Sequence, residues 1–141
     1  MDSHSKILVV DDEPRMCQTL KVLLERRGFE VEAMESGIDA LDAIRNGHFD
    51  LFLFDICMPG LDGFHLVEET IQLQPDAPVV MITGNATIES AIKALQKGAY
   101  DYLKKPFEPE DLMKTVNNAL EQKRLKDENR AITDQLILSE R

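Results

Sequence analysis

Five short apolar runs, separated by stretches of helical length, limit what this chain can fold into. The runs are KILVV (6–10), FEVEAM (29–34), DLFLF (50–54), APVVMI (77–82) and AYDYL (99–103). Such alternation predicts parallel strands joined by helices that cover both faces of one sheet. The first, third and fourth runs are apolar on successive residues, as strands buried on both faces are. EVEAM instead alternates and suits a sheet edge. The expected architecture is a five-stranded α/β sandwich, and 141 residues with 43% hydrophobic content suffice for one such domain.

The helices carry their own punctuation. The first, residues 14–27, opens at Pro14, stops at Gly28 and aligns Met16, Leu20, Leu23 and Leu24. Ser36 is placed to cap the second, whose Ile38, Leu41 and Ile44 are expected to face the core before Gly47 ends it. The third covers residues 63–73 and ends near Pro75. The fourth, residues 87–97, aligns Ile88, Ala91, Ile92 and Leu95, read as plain core, with Gly98 past its end. The last begins near Pro109 and meets neither glycine nor proline up to Arg141. That outruns the ~10 to 14 residues of an average globular helix. Met113, Val116 and Leu120 suit packing on the sheet, while Leu125, Asn129, Ile132 and Leu136 follow a heptad-like spacing. The chain therefore divides into a globular domain, residues 1–120, and an extension, residues 121–141, that reads as a short coiled-coil segment or a frayed polar helix.

Charge excludes several partners. Sixteen Lys and Arg against 26 Asp and Glu give a net charge of −10, which works against nucleic-acid phosphates and anionic membranes. The extension balances five basic against five acidic residues, so the acidity belongs to the globular part. Two cysteines, no secretory signal pattern at MDSHSK and no run near the ~18 residues of a membrane span point to a soluble, cytoplasmic protein.

In an open parallel sheet the functional crevice lies beyond the carboxyl ends of the strands. Asp11 and Asp12 follow the first run, Asp55 the third, Thr83 and Gly84 the fourth, and Lys104, Lys105 and Pro106 the fifth. The second is followed only by Glu35 and Ser36. Three carboxylates sharing a pocket repel one another unless a cation neutralises them, and Mg2+ suits an open site of one or two carboxylates plus a phosphate. Lys105 and the Thr83 hydroxyl could then hold phosphoryl oxygens. Asp55, alone at the end of the most apolar strand and followed by the turn-rich ICMPGLDG, is assigned as the nucleophile. Asp11 and Asp12 are paired as metal ligands would be, and Glu13 is expected to lie outside the site and cap the first helix.

VVDDEP, LFDICMPGLDG, VVMITG and YLKKPF, in this order and at these separations, resemble the receiver domain of two-component response regulators across roughly residues 6–120. The resemblance implies a flavodoxin-like (βα)5 three-layer sandwich with strand order 2-1-3-4-5. It also implies that Asp55 accepts a phosphoryl group from a sensor histidine kinase or a small phosphodonor, as a phosphorelay switch and not as an enzyme with a diffusing substrate. By the same resemblance Asp11, Asp12, Asp55 and the backbone carbonyl of Cys57 would hold Mg2+, with Asp12 the more direct acidic ligand. Thr83 and Tyr102 match the switch pair, and Cys57 and Asn85 occupy positions where the family tunes phosphoryl lifetime. The long last helix is similar to that of regulators whose receiver precedes an AAA+ domain acting on sigma-54 RNA polymerase. That implies transcription regulation by an output domain in cis beyond residue 141, and a homodimer through helix 4, strand 5 and helix 5 or through the C-terminal helix.

Plainer readings stand beside these. Asp11 and Asp12 could be acids favoured by a helix N-terminus, Lys105 a solvated loop lysine as Lys104 is expected to be, and Tyr102 a half-buried strand aromatic. Pro106 argues for an aimed Lys105, through a fixed bond of the one kind that readily adopts the cis form. His48 and His65 lack ligand spacing, and Cys57 is expected to pack rather than react. Other functions considered are an Mg2+-dependent aspartyl-phosphate phosphatase and a stand-alone or hybrid-kinase receiver. The phosphatase lacks the usual Asp-x-Asp turn and room for a cap domain. A nucleotide-binding domain is disfavoured because neither G-x-G-x-x-G nor G-x-x-x-x-G-K-[ST] occurs.

Overall fold

The computed structural model describes residues 5–56, 58, 62–84 and 87–139, with side chains to residue 132. Strands and helices alternate throughout: β1 (Lys6–Val10), α1 (Pro14–Glu25), β2 (Glu30–Met34), α2 (Gly37–Asn46), β3 (Leu51–Asp55), α3 (Gly63–Leu73), β4 (Val79–Thr83), α4 (Ile88–Gln96), β5 (Asp101–Lys104) and α5 (Pro109–Ser139). All strand pairings are parallel, in the order β2-β1-β3-β4-β5. This is the five-stranded sandwich read from the apolar runs, in the flavodoxin-like strand order that the family resemblance implies.

The period of two in a strand divides the core into two layers. Leu8, Val10, Phe52, Phe54, Val79 and Met81 point to the side covered by α2, α3 and α4, where Ala40, Ile44, Leu66, Val67 and Ala94 are buried. Ile7, Val9, Leu51, Leu53, Val80 and Ile82 point to the other side, against Leu20 and Leu24 of α1 and Leu112, Met113, Val116 and Ala119 of α5. Register holds the layers together, for example Ile7 opposite Leu51 and Leu53 opposite Val80. β3 is buried along its whole length, which is why its sequence is apolar without alternation.

Boundaries differ from the sequence reading in instructive ways. β3 and β4 each run one residue further than expected, so Asp55 and Thr83 are the last residues of paired strands. α1 ends at Glu25, because Arg26, Arg27 and Gly28 turn the chain. Glu13 occupies the N-cap position of α1, but its side chain makes no cap bond. Its own backbone N–H is taken by Asp11 Oδ1 at 2.9 Å, and its carboxylate lies 3.5 Å from Lys105 Nζ. Ser36 does cap α2, accepting from the Asp39 N–H. Ile38, expected in the core, is 67% exposed, since the buried positions of α2 are Gly37, Ala40 and Ile44.

The largest correction concerns α4. Ile88, Ile92 and Leu95, expected to be core, are 80%, 49% and 48% exposed, and Ala94 is the helix's buried residue. Lys93 stands 4.4 Å over the Phe64 ring and Lys97 pairs with Glu68 at 3.5 Å. At 100° per residue Lys93, Lys97 and Ala94 lie on the side of the helix opposite the isoleucines. The helix thus meets the domain with its small and basic residues and presents its apolar stripe outward. Ala94 joins the core cluster that contains Phe54 and Met81, with Tyr102 packed against it.

Candidate functional site

Main-chain bonds between strand ends fix the side chains that converge at the carboxyl edge of the sheet. The Asp11 N–H donates to the Met34 carbonyl at 3.0 Å, and the Lys105 N–H to the Thr83 carbonyl at 2.8 Å. Asp55, opposite Ile82, ends β3, and Thr83, opposite Lys104, ends β4. Gly63 opens α3 so close to the end of β3 that a Cβ there would lie 2.6 Å from the Ile56 carbonyl oxygen and 2.7 Å from that of Asp55. α3 therefore buttresses the nucleophile candidate through contact that only glycine permits.

Asp11 is 1% exposed and Asp55 5%, whereas Asp12 is partly open to solvent. Asp11, Asp12 and Asp55 each offer a carboxylate oxygen, all within 4.8 Å of one another. Lys105 reaches into this group, with Nζ 2.7 Å from Asp11 Oδ2, 3.5 Å from Asp55 Oδ2 and 3.5 Å from Glu13 Oε1. Burial pushes the Lys105 ammonium down, but the hydrogen bond to Asp11 and the charges of Asp11, Asp55 and Glu13 outweigh it and hold the group above the ordinary lysine value. The Lys105–Pro106 bond is cis. Lys104, one residue earlier, is exposed.

The acids fit a hard divalent cation. Two buried carboxylates and one open to solvent form an all-oxygen set that can keep waters on its outer side, as Mg2+ prefers. Cys57, expected to add a carbonyl, and Asn85 lie outside the described residues. Thr83 is 1% exposed at the same edge. Tyr102 is half-buried on β5, with its hydroxyl 3.4 Å from Ser90 Oγ. Ser90 was not singled out in the sequence, although Thr87-x-x-Ser90 carries the spacing of a capping box. In the structure Thr87 Oγ1 accepts from the Ser90 N–H and Ser90 Oγ from the Thr87 N–H.

The histidines read as lacking ligand spacing stay apart from the site. His48 and His65 are exposed and pair with Asp50 and Glu69. Cys17 is buried beneath the site, where its thiol donates to the Asp11 carbonyl at 3.2 Å. Burial, then the Asp11 charge, pushes that thiol above its ordinary value, which disfavours the reactive thiolate.

The parallel sheet in this order carries acids just after β1 and at the end of β3 and a lysine after β5, the arrangement of a receiver-type fold. Residues 7–117 match the response regulator receiver domain, and the chain belongs to that family. It is 33% identical over 132 residues to the C4-dicarboxylate transport transcriptional regulatory protein DctD of Rhizobium meliloti, covering 94% of this chain and 29% of that protein. Among solved structures, NtrX from Brucella abortus in complex with ADP superposes with a TM-score of 0.87 at 37% identity, over 92% of this chain and 30% of that one. The beryllofluoride-activated NtrC4 receiver domain dimer superposes with a TM-score of 0.80 at 33% identity, over 84% of this chain and 98% of that one. The chain thus spans about three tenths of the length of the curated DctD relatives it matches. Its relatives include transcriptional regulators, and among the described residues no helix is long and apolar enough to cross a membrane.

Proposed function

We propose that this receiver domain is a phosphorylation-controlled switch whose phosphoacceptor is Asp55. The observation that carries the reading is the convergence of Asp11, Asp12 and Asp55 within 4.8 Å, with the Lys105 ammonium 2.7 Å from Asp11 and 3.5 Å from Asp55. A carboxylate oxygen of Asp55 attacks phosphorus, the new O–P bond forms as the donor's P–N or P–O bond breaks, and the leaving histidine or carboxylate departs with the bonding pair. Asp11, Asp12, Asp55 and the Cys57 carbonyl would hold Mg2+, which supplies positive charge to the non-bridging phosphoryl oxygens. Lys105 carries one such oxygen as a point charge and the Thr83 hydroxyl donates to another.

Phosphorylation replaces the single charge of the Asp55 carboxylate with a phosphoryl group of nearly two negative charges, beside two further acids and one ammonium. In the proposed response, the Thr83 hydroxyl moves toward the phosphoryl group and Tyr102 turns inward, exchanging its Ser90 partner for the core. The α4 N-terminus, where Ser90 belongs to the cap, then shifts, and with it the exposed Ile88–Ile92–Leu95 stripe. That stripe, with β5 and α5, suits self-association, and the NtrC4 receiver relative was solved as a dimer. Residues 1–120 form the receiver and residues 121–141 the link to an output, which by resemblance is an AAA+ domain controlling sigma-54-dependent transcription. A cytoplasmic sensor histidine kinase is the expected donor.

Beryllofluoride with Mg2+ tests the switch, followed by amide NMR. Shifts concentrated at Thr83, Lys105 and α4 are expected. Shifts confined to Asp11 and Asp12, with α4 unmoved, would contradict it.

A further inference from the structure

Beyond Leu120 the extension of α5 runs under the end of the sheet opposite the acidic site and is held there at two places. Lys123 Nζ lies 2.8 Å from Asp127 Oδ2 on its own helix and 3.5 Å from Oδ1 of Asp50, which immediately precedes β3. Only 13% of the Lys123 side chain is exposed. Asp50 is itself anchored, since its Oδ2 accepts the Lys6 N–H at 2.8 Å and its own N–H donates to the Lys6 carbonyl at 2.7 Å. Two turns further along, the Arg130 guanidinium makes a forked pair with Asp76 in the loop before β4, Nη2 to Oδ1 at 2.8 Å and Nη1 to Oδ2.

These contacts use one face of the helix. Lys123, Asp127 and Arg130 are spaced i, i+4, i+7, whereas Leu125 and Ile132 fall about 180–200° away and are 44% and 55% exposed. Between the helix and the domain lies a cavity of about 510 Å³ lined by Phe29, Asp50, Leu120, Lys123 and Arg124. Beyond Leu120, which still packs against the core, charge pairs and the covered Lys123 stem bridge the helix to the domain beside this cavity.

We propose that Asp50 and Asp76 form a docking floor for the α5 extension, a polar clasp that sets the direction and the rotational phase of the helix leading out of the domain. With the phase set, the Leu125–Ile132 stripe always points away from the receiver. α5 begins at Pro109, four residues after Lys105, so a displacement of the lysine loop passes into a clasped lever and is not lost in a swivel. The clasp does not depend on Asp55 being a phosphoacceptor.

Amide hydrogen exchange on the full 141-residue chain tests this. Arg130→Gln, Asp76→Asn and Lys123→Gln should each speed exchange of residues 124–132 about two- to fivefold relative to 112–119, the range expected of exposed and half-buried pairs. Raising NaCl should do the same. The charge-reversed pair, Asp76→Arg with Arg130→Asp, should restore protection. Unchanged exchange in all three single variants, or no recovery in the reversed pair, would overturn the clasp.

Discussion

Lys105 donates to Asp11 at 2.7 Å and stands 3.5 Å from Asp55, so one ammonium is shared by two buried carboxylates, one just after β1 and one at the end of β3. The same cation that would meet a phosphoryl group holds the resting site together. Its side chain is 11% exposed, which leaves little water to replace it.

Lys105→Gln should lower the stability of the metal-free protein by about 3–5 kcal/mol, the cost of leaving buried acids without their partner. Mg2+ should recover part of that loss, because the added cation faces the same carboxylates. Urea unfolding with and without Mg2+ measures both effects.

Asp12→Asn should separate metal binding from folding. Asp12 is the partly open member of the acid group, so its loss should weaken Mg2+ binding by about tenfold or more, ~1.4 kcal/mol per decade. Stability without metal should hold or rise, because a repulsive charge is gone. Calorimetric titration and thermal unfolding check the two halves.

Gly63→Ala should damage the site from a distance. Its Cβ would meet the Ile56 and Asp55 carbonyl oxygens at 2.6 and 2.7 Å, so either α3 or the end of β3 must move. A destabilisation of ~1–3 kcal/mol and displaced Asp55 and Ile56 amide resonances are expected, as for overpacked sites.

Ile88→Glu with Ile92→Glu should be nearly silent for folding, within ~0.5 kcal/mol per site, because both side chains are exposed. Association of the phosphorylated or beryllofluoride-treated chain, measured by light scattering, should fall. A core role for this face would instead give a loss of several kcal/mol.

β1, β3 and β4 were legible because burial on both faces leaves continuous apolar runs, and the polar or charged residue that ends each of them marks the sheet edge. Asp11, Asp12, Asp55, Thr83 and Lys105 could be found that way without knowing how the strands pair. α4 was misread because periodicity reveals an apolar stripe but not what covers it. Here Ala94, Lys93 and Lys97 face the domain, and Ile88 and Ile92 do not. Glu13 was misread as a cap because Lys105, 92 residues away, attracts its carboxylate. The Arg130–Asp76 pair, 54 residues apart, has no local signature at all.

The central claim is that Asp55 accepts the phosphoryl group, and intact-protein mass spectrometry tests it most directly. Incubated with Mg2+ and a small acyl phosphate, the chain should gain the mass of one phosphoryl group, lost in chelator and absent in Asp55→Asn. An adduct of equal yield in Asp55→Asn, or none in the unaltered chain, would contradict the account.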